Sequence, residues 1–148
     1  MDALTRPLRH PVVLALTRLA LGAVILAAAL AKIGDLPAMA LQVHNYRLAP
    51  VWSENLVAIV LPWIELCTGM ALVFGIRARA GAIVGLALMV LFTFAVGSAW
   101  ARGLDFECGC FGKAGASHIG AKKFAENIGL IVLALAASLP RRSSPTAG

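Results

Sequence analysis

The sequence predicts an all-α polytopic membrane protein, a four-helix transmembrane bundle with a short interfacial helix between helices 1 and 2. Two observations carry that expectation. Of 148 residues, 60% are hydrophobic and 14% charged, with a mean hydropathy of +0.86, whereas a soluble domain carries about 25% charged residues. The apolar residues also gather into four runs near the ~20 residues that carry a helix across about 30 Å of hydrocarbon. Only helices and closed barrels satisfy their backbone groups in lipid, and the alternating pattern of barrel strands is absent. A water-soluble globule is excluded. The length allows one compact domain, residues 1–140, followed by a disordered basic tail, 141–148, of Arg, Ser and Pro.

The expected spans are 11–31, 55–75, 79–100 and 124–139. In the first, Arg6 and Arg9 precede the apolar run and Ala29-Leu30-Ala31 resembles a cleavage site, so a secretory signal competes with a retained helix. The run exceeds the usual core of about 7 to 15 residues and contains Arg18, which favours retention. Between the first two spans, Leu36, Met39, Ala40, Val43 and Tyr46 recur at helical spacing. Asp35 and Pro37 act as start signals and Pro50 as a stop, which reads as a helix lying on the membrane as a cover or a lid. The second span contains Pro62, and the third carries Gly81 and Gly85 as a small-xxx-small packing face. The fourth is weakest, because Glu126 and Asn127 precede the apolar run from Ile128 to Leu139. No internal repeat is evident.

Thirteen Lys and Arg against seven Asp and Glu give +6 and a pI near 9.9. The basic residues lie between apolar runs rather than along one face, so they mark orientation and not nucleic-acid binding. Arg6, Arg9, Arg77, Arg79, Arg141 and Arg142 fall on one side of four crossings. The positive-inside rule makes that side cytoplasmic, with both termini, in the cell inner membrane. The opposite, periplasmic side receives the two longer connections.

Ionised residues within a span cost roughly 2.5 to 3.5 kcal/mol on insertion scales and face partners or cavities. Arg18 and Glu65 are expected at similar depth and so as each other's partner, and Lys32, fourteen residues after Arg18, extends that face. Pro62, one turn before Glu65, would free a backbone carbonyl there. Arg18, Lys32, Glu65 and Trp63 are the candidate polar pocket. A buried pair that fixes helix register and a site for protons or ligand are both compatible with this stripe. Trp52, Trp63 and Trp100 read as interfacial anchors, with Trp63 also deep enough to line a cavity.

The sharpest local signal is Asp105-Phe106-Glu107-Cys108-Gly109-Cys110-Phe111-Gly112, directly after the third span on the outer side. Two thiols flank one glycine. An internal disulfide there closes a tight ring, and strain of that kind makes such a bond oxidising and exchange-prone. Cys108 and Cys110 are therefore the candidate redox pair. An inert structural disulfide and a metal site compete, but Cys108, Cys110 and His118 supply only three ligands where closed zinc sites take four, so no metal is expected. Cys67 reads as a small packing residue deep in the second span.

Taken together, these residues resemble the methylamine utilisation MauE family, a branch of the DoxX-like membrane proteins. The matching elements are Arg18, Leu21, Gly22 and Lys32; Tyr46-Arg47-Leu48 before Pro50; Leu61-Pro62-Trp63-Ile64-Glu65-Leu66 with Gly69; and Cys108-Gly109-Cys110-Phe111-Gly112. The resemblance covers nearly the whole chain. It implies an inner-membrane protein associated with thiol redox, working with a thioredoxin-like periplasmic partner in forming or shuffling disulfides of a periplasmic enzyme. In the eponymous proteins that enzyme is methylamine dehydrogenase. Where the family commonly places a basic residue before the asparagine opening helix four, this chain has Glu126 before Asn127.

Thiol and disulfide exchange is thus the leading expectation, with quinone between the helices as a candidate electron acceptor by analogy of architecture alone. Its rival is a noncatalytic membrane subunit or assembly scaffold. A small-solute carrier is disfavoured, since four helices would need a homo-oligomer to build alternating access. Lipid is the expected surroundings.

Overall fold

The computed structural model describes residues 10–104, 106 and 119–140. Among them the regular structure is helical: α1 (Pro11–Ile33), α2 (Leu36–Tyr46), α3 (Val51–Val73), α4 (Ala78–Ala101) and α5 (Ala121–Ser138). Three of these, α1, α3 and α4, are long and apolar enough to cross a membrane. The chain is a helical membrane protein.

Local chemistry explains the boundaries. Pro11 opens α1, where a missing N–H costs nothing. Asp35 caps α2 by accepting from the Ala38 N–H at 3.1 Å. The helix then ends at Arg47, in the left-handed region at φ 50°. Pro50, expected as the stop of α2, instead caps α3, so α3 begins at Val51, four residues before the expected start of the second span. Gly75 at φ +72° makes the turn into α4, a conformation that glycine adopts at little cost.

The packing differs from that of a soluble bundle chiefly at the surface, since Leu21, Ile25, Leu72, Leu88 and Met89 are buried as in any core. The core is rich in small residues: Ala28, Ala29, Ala58, Ala82, Ala99, Ala134 and Ala137 are buried. Many large apolar side chains point outward instead, among them Leu16, Leu30, Ile59, Phe94 and Val132. In water such a surface would be an aggregation patch; in lipid it is the solvated face, and small interior residues let helix backbones approach.

The tightest approach is between α1 and α3. A Cβ on Gly69 would stand 2.6 Å from Leu26 Cγ and 3.0 Å from the Leu26 backbone nitrogen, and one on Gly22 would stand 2.8 Å from Leu72 Cβ. Gly81 and Gly85 are buried as expected, with a Cβ on Gly85 falling 3.1 Å from Ile25 Cδ1. The α5 helix packs along α4 and α1. At one of its ends Phe124 fills the space over Gly97. At the other, Arg18 donates from Nε to the Ala137 carbonyl at 2.9 Å and from Nη2 to the Leu139 carbonyl at 3.3 Å.

Candidate functional site

The Gly22 and Gly69 contact sets the register of α1 against α3, and the register decides which charges meet. Lys32, in the last turn of α1, reaches Glu65 on α3: Nζ donates to Oε1 at 2.5 Å, and the two side chains are 2% and 1% exposed. The Phe92 ring of α4 lies 4.5 Å from the ammonium, an arrangement that stabilises a desolvated cation. Pro62, buried one turn before Glu65, removes the N–H that would bond the Ala58 carbonyl. From α5, Asn127 completes the cluster. Glu65 Oε2 and Asn127 Nδ2 are both buried without a hydrogen-bond partner, and both residues line a cavity of about 20 Å³ between α1, α3, α4 and α5.

Arg18 is not the partner of Glu65, as expected from depth, but binds the C-terminal carbonyls of α5. The reason is register. With Gly22 against Leu72 and Gly69, Arg18 lies level with the C-terminal end of α3, where it lines a shallow cavity with Val73, Phe74 and Gly75. Phe74 stands nine residues beyond Glu65, about 13 Å along the helix. Trp63, expected to line the pocket, is 52% exposed on the outer face. Pro62 and Glu65 are three residues apart and share the inward face, whereas Trp63 is turned about 100° from Pro62 and more from Glu65. Cys67 is likewise exposed rather than a packing residue within the bundle. Of the four candidate pocket residues, the structure brings Lys32 and Glu65 together and leaves Arg18 and Trp63 apart from them.

A larger cavity, about 290 Å³, lies between α2, α3 and α4 with Lys32 in its wall. Met39, Tyr46, Leu61, Leu91 and Phe92 are among its lining residues, and its polar side chains are Lys32, Gln42 and Tyr46. Leu91 and Leu48 also line it while being 52% and 48% exposed, so the cavity reaches the outer apolar surface. Tyr46 is held between two elements. Arg102 Nη2 donates to its carbonyl, and its ring meets Phe106 edge-on at 4.9 Å between centroids. Burial pushes its phenol up to about 12, so it stays neutral and able to donate at any physiological pH. His44 Nδ1 lies 3.0 Å from Glu54 Oε1, a further tie between α2 and α3.

Phe106 stands two residues before Cys108. Cys108 and Cys110 lie outside the described residues, as does His118, but Phe106 and Ile119 on either side of that segment are described. The Ile119 N–H donates to the Phe106 carbonyl at 3.1 Å, and Ile119, Val96 and Ala99 form a small buried cluster against which Tyr46, Leu104, Phe106 and Phe124 pack. The two ends of the cysteine segment are therefore drawn together beside Tyr46, at the wall of the larger cavity.

Sequence reasoning does not single out Phe92 or Asn127 as members of the site. Asn127 carries a signal, a polar residue at the head of an apolar run; Phe92 carries none, being one aromatic residue in an apolar helix. Among the described residues no group of three or more His, Cys, Asp or Glu is arranged to hold a metal ion.

Comparison with known proteins gives a consistent result. The family model described as methylamine utilisation protein MauE matches residues 10–140. A methylamine utilization protein MauE of Methylorubrum extorquens is 34% identical over 107 residues, 72% of this chain and 58% of that protein. One from Paracoccus denitrificans is 33% identical over 103 residues, 69% of this chain and 55% of that protein. The chain thus spans a little over half the length of these relatives. No solved structure matches.

Proposed function

The chain belongs to the methylamine utilisation MauE family, and from that premise we propose that it is an inner-membrane component of thiol and disulfide exchange. It acts with a thioredoxin-like periplasmic partner in the maturation of an exported enzyme. The relatives' name points to methylamine utilisation, and a methylamine dehydrogenase is the client that fits it.

The observation that carries this reading is the anchoring of the cysteine segment. The Ile119 to Phe106 backbone bond and the Tyr46 to Phe106 contact tie its two ends to the same end of the bundle as Lys32. In this reading Cys108 and Cys110 start as a disulfide. A partner thiolate attacks one sulfur, the bond between the two cysteines breaks, and a mixed disulfide forms. The partner's second thiolate then attacks its own sulfur in the mixed disulfide and displaces the cysteine still held there, leaving the partner oxidised and Cys108 and Cys110 as a dithiol.

The membrane arrangement belongs to the same proposal. The α5 helix, with 18 residues, is about 27 Å long, and it runs from the Phe124 contact at one end of the bundle to the Arg18 contact at the other. This supports a fourth crossing. Its buried Lys123 faces the bundle and pairs with Glu126 at 3.1 Å, which lightens the cost of carrying charge into the span. With four crossings, Arg77 and Arg79 and both termini fall on the cytoplasmic side and the cysteine segment on the periplasmic side.

The test is thiol labelling in intact cells. A membrane-impermeant maleimide should reach Cys108 and Cys110 only after mild reduction, and without lysis. Labelling that needs lysis contradicts the orientation; full labelling without any reductant contradicts the disulfide resting state.

A further inference from the structure

We propose that the cavity between α2, α3 and α4 binds a lipid-soluble quinone, whose carbonyl accepts a hydrogen bond from Lys32 Nζ, and that this quinone reoxidises Cys108 and Cys110. The assignment deepens the exchange reading and rests on it for the redox role, but not for binding.

Three features of the cavity define the ligand. Its volume of about 290 Å³ falls just below the ~300–1,000 Å³ typical of small-molecule sites, and its rim opens to the lipid-facing surface. Its walls are apolar apart from Lys32, Gln42 and Tyr46, and its rim includes Leu48 and Leu91 on the outer apolar surface. A ligand therefore enters from lipid and is itself largely apolar. The third feature is Lys32. An ammonium has three donors and no acceptor; here one donor goes to Glu65 and the Phe92 ring faces the nitrogen. Donor capacity remains on a side chain that is 2% exposed and lines the cavity. The complementary ligand carries a carbonyl or other acceptor at the head of an apolar body.

The redox chemistry selects among such ligands. Returning two thiols to a disulfide releases two electrons and two protons, so the cycle needs a two-electron acceptor. A quinone takes both: the sulfur-sulfur bond forms, the two thiol protons and the electron pair leave, and the two quinone carbonyls become the hydroxyls of the quinol. Tyr46 both lines the cavity and packs on Phe106, which stands two residues before Cys108 in the sequence. A phospholipid acyl chain matches the apolar walls but leaves the Lys32 donors unused.

The experiment is photolabelling of the full chain in lipid nanodiscs with a short-tailed azidoquinone, followed by peptide mapping. Label should appear on the α2 and α4 wall, around Met39 to Tyr46 and Leu91 to Ala95, and excess decylubiquinone should displace it. The Ala95→Phe variant adds bulk to the α4 wall of the cavity and leaves both members of the Lys32 and Glu65 pair in the sequence; it should weaken labelling about tenfold or more while its melting profile stays close to that of the parent. The double variant Cys108→Ser, Cys110→Ser should label as well as the parent. Label that decylubiquinone does not displace, or that Ala95→Phe leaves unchanged, overturns the site. So does labelling of the same wall by a photoreactive phosphatidylcholine that quinone fails to compete away. If the site labels as expected but decylubiquinone does not oxidise Cys108 and Cys110 in the parent, the reoxidation role proposed for the quinone falls while the binding site stands; the exchange reading itself is tested separately, by trapping the mixed disulfide.

Discussion

Removing one partner of the Lys32 and Glu65 pair is the perturbation with the largest consequence for the fold. The ions are 2.5 Å apart with side chains 2% and 1% exposed, so neither can recover its lost interaction from water. At an effective dielectric of 20 two unit charges 4 Å apart attract by about 4 kcal/mol, and at the shorter separation here the attraction is greater. Desolvation offsets most of that in the intact pair, but a single substitution leaves the other charge buried and unpaired, which typically costs about 3 to 5 kcal/mol. Near 150 residues each kcal/mol corresponds to roughly 2–4 °C in Tm, so Lys32→Met and Glu65→Leu alone should each lower the apparent melting temperature in detergent by about 6–20 °C. The double variant replaces the pair by apolar groups and should recover most of that loss. A double-mutant cycle read by thermal unfolding measures the coupling. Strict additivity of the two substitutions would refute the argument that each ion is neutralised by the other within the bundle. As a control, Arg18→Ala and Glu65→Leu should be additive, because their side chains have different partners.

Two further substitutions test the packing. Gly69→Ala places a methyl group against Leu26 Cγ and the Leu26 backbone, forcing α1 and α3 apart at a cost of about 1–3 kcal/mol; a melting temperature equal to the parent's would contradict the close approach. Arg18→Ala removes two charge-assisted bonds to the Ala137 and Leu139 carbonyls, each worth about 1.5–3 kcal/mol at most, and should speed amide exchange in the last turn of α5 without changing exchange around Glu65.

Hydropathy makes the three long apolar helices legible, because lipid imposes a length and a composition on any spanning helix. The ends of α2 are half legible: Asp35 caps as its side chain predicts, but the helix stops at Arg47 through a backbone conformation that no residue type there demands. The partner of Glu65 is hidden for a geometric reason. Counting residues from expected helix ends gives depth only if the ends are level, and α3 starts at Val51, earlier than its apolar run suggests, with an offset that brings Lys32 rather than Arg18 to the level of Glu65. The Gly22 and Gly69 contact that fixes this offset is a pairwise property, invisible in either helix alone. Trp63 and Cys67 are illegible for a related reason, because in lipid both faces of a helix are apolar and composition does not say which turns inward. The cysteine motif stands out by its spacing, whereas its neighbour Tyr46 acquires a role only when the fold brings α2 against Phe106.

A trapped mixed disulfide would show thiol exchange at Cys108 and Cys110 in the cell. In Cys108→Ser and Cys110→Ser variants, expressed separately in cells and analysed under acid quench without reductant, the remaining thiolate can attack the oxidised partner's disulfide, the reverse of the exchange above, and the chain has no second cysteine at the motif to carry the mixed disulfide on to resolution. One of the two should accumulate a reducible adduct with a thioredoxin-like periplasmic protein, and the variant lacking both cysteines should fail to support maturation of the client enzyme. If neither single variant traps a partner and the double variant still matures the client, the protein acts as a scaffold and the redox assignment is wrong.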